Sequence, residues 1–110
     1  MRKFKVVVEI VKEYVVEADE SILTDKNLEG WESAFHDLDS EDDKVASLVH
    51  DYCECRARLG NRYLEGYGKV LNVNQKADGY FVKEDDVCDF MRMVKCDDDG
   101  DTVVYLEEIN

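Results

Sequence analysis

Phe4, Val6, Val8 and Ile10 alternate with Lys5, Val7 and Glu9, and Tyr14, Val16 and Ala18 alternate again a few residues later. A period of two carried by β-branched residues predicts strand. The pattern fits two strands joined by a turn near Val11–Glu13, an N-terminal hairpin; one long bent strand fits it as well. The period then changes. Leu28, Trp31, Phe35 and Leu38 are spaced 3, 4 and 3 apart, which predicts a helix over residues 24–38 with Thr24 or Asp25 as its cap and Gly30 as a weak point. A second helix is predicted over residues 40–59. Ser40 with Asp43 makes an acidic relative of a capping box, Glu41, Asp42 and Asp43 occupy the first turn, and Arg56 and Arg58 the last. Val45, Leu48, Val49, Tyr52 and Leu59 form its apolar face, and Gly60-Asn61 stops it.

Strand signals return after residue 62. Tyr63–Val73 is rich in Tyr, Leu and Val, with Gly66 and Gly68 as bends. Asn74–Gly79 reads as a turn, with Asp78-Gly79 as a hairpin signal before Tyr80–Lys83. Residues 88–96 and 102–109 read as two strands around a hairpin turn at Asp97–Asp101, although Asp85 and Asp86 ahead of the first also suit a short helix. The order is hairpin, two helices, then a meander. It predicts an α+β fold with a mainly antiparallel sheet covered by two helices, in one domain spanning residues 1–110.

Composition narrows the partner rather than the fold. The 110 residues hold 27 Asp or Glu against 14 Lys or Arg, a net charge of −13, while 45% are hydrophobic. A core can form, so the chain is not a disordered acidic tail. Direct nucleic-acid binding through phosphate contacts needs a basic surface and is disfavoured. No apolar run approaches the ~20 residues of a membrane span, and the basic start leads into strand rather than a signal peptide. The expected compartment is the cytoplasm.

The charge is unevenly spread. Residues 1–18 carry +1, residues 19–55 −10, residues 56–76 +4 and residues 77–110 −8. Helix-end and turn chemistry explains part of this. The remainder is a negative surface that repels nucleic acid and attracts basic grooves. The candidate contacts are Glu29, Glu32, Asp37, Asp39, Glu41, Asp42 and Asp43, with Asp85, Asp86, Asp97, Asp98, Asp99 and Asp101, beside Asp89, as a second group. Arg56, Arg58, Arg62, Tyr63, Tyr67 and Lys69 form a basic, aromatic island, a secondary contact for a partner or for a second copy of the chain.

Catalytic and metal patterns fare poorly. Cys53 and Cys55 sit two apart on a helix and point to opposite flanks, which does not suit zinc. Cys88 and Cys96 are too far apart along one strand to bond to each other. Aligning Gly100 with the glycine of a calcium loop puts Lys95 and Leu106 at the first and last ligand positions, where acids are needed. His36 and Asp37 are adjacent on a helix and do not face each other. No nucleophile elbow or phosphate loop is present. An enzyme is not expected, nor a cofactor or metal.

With its acidic runs Asp39-Ser-Glu-Asp-Asp43 and Asp97-Asp-Asp-Gly-Asp101 and no proline, the chain resembles the small acidic proteins of bacteriophages and prophages that block host defence, including anti-CRISPR and anti-restriction proteins of the DNA-mimic type. The resemblance implies a non-enzymatic inhibitor that binds a basic nucleic-acid-processing protein, such as a CRISPR nuclease, in the host cytoplasm. The alternative is a small structural module that self-associates, as a homodimer, through a sheet edge or the Tyr63–Lys69 island.

Overall fold

One long antiparallel pairing organises the backbone of the computed structural model, which describes residues 1–38 and 42–110. β1 (Lys3–Val11) pairs with β4 (Asp101–Ile109), and β2 (Tyr14–Ala18) pairs with β3 (Met91–Cys96). Lys3 faces Ile109 and Val11 faces Asp101; Tyr14 then faces Cys96 and Ala18 faces Met91. Residues 3–18 therefore run against residues 91–109 as a single two-stranded ribbon with two irregularities. At one, residues 12–13 lie opposite residues 97–100. At the other, Val94 is the extra residue between the Val15–Lys95 and Val16–Met93 pairs. Each local excess bends a ribbon and changes its aim.

The α+β architecture and the antiparallel pairing agree with expectation, but the partners differ. β1 and β2 do not form a hairpin with each other. A tight two-residue turn wants positive φ, and Val11, Lys12 and Glu13 are poorly suited to it; the long bent strand is the better description. Asp97–Asp101 is likewise a joint between successive strands, not a hairpin tip. Gly100 sits there at φ +72°, and a Cβ on it would lie 2.9 Å from Ile10 Cγ2, Lys12 Cγ and the Val11 carbonyl oxygen.

Two helices pack beside the inner half of the ribbon. α1 (Asp25–Ala34) is capped by Thr24, whose Oγ1 accepts from the Asn27 amide. It ends four residues earlier than expected, so Phe35 is exposed, while Leu38, beyond the helix, is buried. α2 (Lys44–Leu59) starts later than expected. Asp43 is its cap and accepts from the Ala46 amide, so Asp42 and Asp43 precede the first turn. The expected cap Ser40 lies outside the described residues. Gly60 ends the helix as anticipated. Leu48 and Tyr52 of α2 and Met91 and Met93 of β3 are fully buried, with Leu28, Leu64, Tyr67, Val70 and Cys88 around them.

The expected strands between residues 63 and 83 are replaced by irregular backbone with isolated bridges. The Lys69 amide donates to the Asp86 carbonyl (2.7 Å), Cys88 to Lys69 (2.8 Å), Met93 to Leu71 (2.9 Å) and Val73 to Met93 (3.0 Å). Residues 71–73 thus line the free edge of β3, and Lys69 lines the segment just before it, without becoming a regular strand. Gly68 makes this approach feasible, because at φ +78° a Cβ would stand 2.6 Å from the Asp86 carbonyl oxygen. Asp85 and Asp86 lie in a short 3-10 turn, Glu84–Asp86, ahead of β3.

Candidate functional site

The joint between the two halves of the ribbon is fixed from α2. Arg56 is only 3% exposed. Its Nε and Nη2 donate to the two carboxylate oxygens of Asp98 at 3.1 and 3.0 Å, and its Nη1 donates to the Tyr52 hydroxyl at 3.0 Å. The Tyr14 hydroxyl and the Cys96 thiol also donate to Asp98, each at 3.0 Å. These bonds, led by the guanidinium, hold the Asp98 carboxyl well below the usual carboxylate range. Burial, reinforced by Asp98, pushes the Cys96 thiol up to about 11. On the opposite strand, Lys12 Nζ donates to the Ala57 carbonyl at 2.8 Å. Both strands are thereby tied to the last turns of α2, which sets the direction in which β1 and β4 leave the body.

The placement of the candidate residues follows from such local bonds. Arg56 and Tyr67 are interior. Tyr67 is 5% exposed and its hydroxyl donates to Asp51; burial, then Asp51, holds its phenol above its ordinary range. Neither presents surface to a partner. Arg58, Arg62 and Tyr63 are exposed, and Lys69 Nζ donates to the Phe81 carbonyl at 3.2 Å. Among the acids, Asp98 is the counter-ion of Arg56, Asp43 caps α2, and Asp97 accepts from the Gly100 amide at 2.9 Å. Glu32 accepts from the Leu38 amide and from Lys44, both at 2.9 Å, which keeps its carboxyl below the usual range. Glu29, Asp37, Asp42, Asp85, Asp99 and Asp101 are exposed, and Asp86 is half-buried. Asp39 and Glu41 lie outside the described residues.

Register brings together a further acidic feature. The Asp19 amide donates to the Phe90 carbonyl at 2.9 Å, so the chain just after β2 lies against the chain just before β3. A shallow groove there is lined by Glu17, Asp19, Glu20 and Asp89, with Arg92 as its one base. The amide and hydroxyl of Ser21 keep Asp19 below its ordinary value. Of its acids only Asp89 belongs to an expected group; bringing it to Glu17 needs the pairing of residues 18 and 91, which strand alternation alone does not give. The chain bends at Asp78-Gly79, with Asp78 accepting from the Tyr80 and Val82 amides, but no strands flank it to make the expected hairpin; the bend displays Tyr80 and Phe81 edge to face at 79% and 77% exposure.

The largest apolar surface lies elsewhere. Every residue of β1 and β4 is exposed. Directly paired residues share a face, so Phe4, Val6, Val8 and Ile10 line one side with Thr102, Val104, Leu106 and Glu108. The six large apolar side chains among them are 46% to 68% exposed. The charges there lie at the far end, where Glu108 pairs with Arg2 and the Arg2 guanidinium sits 4.9 Å over the Phe4 ring. The opposite face mixes Val7, Val11, Val103, Tyr105 and Ile109 with Lys3, Lys5, Glu9, Asp101 and Glu107. Fully burying one such side chain is worth ~1.5–3 kcal/mol. Half-exposed, the six leave roughly 5–9 kcal/mol of burial untaken.

Among the described residues, no group of three or more His, Cys, Asp or Glu side chains is arranged to hold a metal ion, and no helix is long and apolar enough to cross a membrane. His36 meets Asp51 across helices (Nε2–Oδ1, 3.2 Å) rather than its neighbour Asp37, at an exposed site. No known protein family, curated protein or solved structure matches the chain.

Proposed function

We propose that the protein acts by binding rather than by catalysis, as an inhibitor of a basic nucleic-acid-processing protein, with a CRISPR nuclease as the target class. The observation that carries this reading is the position of the charge. The ribbon residues 1–11 and 101–110 hold three bases and four acids, so −12 of the total −13 belongs to residues 12–100. Within that body, carboxylates not used as caps or counter-ions face outward on α1, on the 3-10 turn and around the Glu17–Asp89 groove. A basic channel shaped for a nucleic-acid backbone meets a complementary field there, and steering raises the association rate.

The test neutralises two separate sets of exposed acids. Glu17→Gln, Glu20→Gln and Asp89→Asn neutralise the groove; Asp42→Asn, Asp85→Asn and Asp99→Asn neutralise the outer acids. Both sets should leave the melting temperature nearly unchanged. Either should weaken capture of basic nucleic-acid enzymes about tenfold or more, as should high salt. Capture indifferent to salt and to both sets contradicts the electrostatic reading.

A further inference from the structure

We infer that the β1–β4 ribbon is a dimerisation arm, whose face of Phe4, Val6, Val8, Ile10, Val104 and Leu106 packs against the same face of a second copy of this chain. The inference stands independently of the proposed inhibitory function. A two-stranded ribbon alone in water is marginally stable at best and needs a further layer. The inner half of this ribbon has one, and the outer half has none. The chain is correspondingly extended, with a radius of gyration of 18.0 Å and extents of 60 × 37 × 21 Å, where a compact domain of this length has ~13 Å.

Three observations select a second copy as the occupant. The first is area. At about half exposure, six large side chains offer on the order of 100 Å² apiece. That gives ~600 Å² per copy and ~1,200 Å² for two, the lower end of a stable interface. The second is chemistry. The face has no charge along its middle, so nothing on it selects a basic partner; a strip of matching length and apolar character is what another copy supplies, and a two-fold pairing asks only that the patch be self-complementary. The third is repulsion. A nine-residue strand spans ~30 Å. Antiparallel stacking of two arms places the two bodies, each carrying −12, at opposite ends, several times the ~8 Å screening length at physiological salt. The arms themselves carry −1 each. The bonds from Arg56 to Asp98 and from Lys12 to Ala57 hold each arm clear of its own body.

The experiment is sedimentation equilibrium of the full chain under reducing conditions, over a wide range of concentration and at low and high salt. Wild type should approach twice the 12.7 kDa chain mass, with no loss of association at high salt. Val8→Lys with Leu106→Lys should weaken association by ~100-fold or more, while Lys5→Ala with Glu107→Ala on the opposite face should change it little. Cooperative thermal melting of each variant verifies folding. If the lysine variant does not fold, the more conservative Val8→Thr with Leu106→Thr takes its place and should weaken association about tenfold. A wild-type monomer at every concentration overturns the inference, also where the arm face is then found to bind a different protein. So does a dimer that the arm-face variants leave intact. Neither result bears on whether the acidic body binds a basic enzyme.

Discussion

The inner and outer halves of the ribbon are made of the same strand chemistry in very different surroundings. In the inner half, Met91 and Met93 are buried, α2 lies against β2, and residues 71–73 line the edge of β3. In the outer half, nine residue pairs run in unbroken register and every one of their residues is exposed, with the Arg2 guanidinium lying over the Phe4 ring. The difference shows that backbone pairing alone does not make a core. The inner half is held by what covers it, whereas the outer half keeps its apolar side chains available. The Arg56–Asp98 joint marks the boundary.

Substitutions test that contrast, beginning with the largest effect. Leu48→Ala or Met93→Ala empties a fully buried site and should cost ~2–5 kcal/mol in urea unfolding. Val8→Ala, made at dilution where the chain is monomeric, should cost under ~0.5 kcal/mol because it buries little. Equal losses in the two halves would erase the distinction. Asp98→Ala leaves the buried Arg56 cation without its counter-ion and should destabilise by about 3 kcal/mol. It should also raise hydrogen exchange across residues 97–101, as a loosened joint requires. Gly100→Ala forces a Cβ into a left-handed position against Ile10 and Val11, for ~1–3 kcal/mol.

The smallest effect is the pH dependence. The Asp98 carboxyl titrates below its unfolded value of ~3.9, so its stabilising contribution is complete above that value and is lost as pH falls through the folded one. Wild type should lose stability below about pH 4 more steeply than Asp98→Asn. Matching acid profiles would show that the ion pair does not contribute this way.

How far the sequence could be read follows from how local each signal is. The stop at Gly60 and the cap at Thr24 depend on neighbours a few residues away, and both were legible. Alternation from Phe4 to Ala18 identified strand and which residues share a face, but a period of two says nothing about the partner strand, so the pairing with residues 91–109 was not visible. Arg56 looked like an exposed helix-end base because its counter-ion Asp98 is 42 residues distant. Asp98 looked like a surface acid for the same reason, whereas Asp43 bonds the Ala46 amide three residues on, a cap signal that the helix start already carried. The Glu17–Asp89 groove also needed that register. The exposure of β1 was the hardest to foresee, since a strand so rich in Val normally faces a core.

Hydrogen exchange of the backbone amides in the two halves, compared at low and high protein concentration, tests the division most directly. Amides of β2 and β3 are expected to stay protected at every concentration, and those of β1 and β4 to gain protection only as concentration rises and the arms pair. Strong protection of β1 and β4 at the lowest concentration, equal to that of β2 and β3, would contradict it.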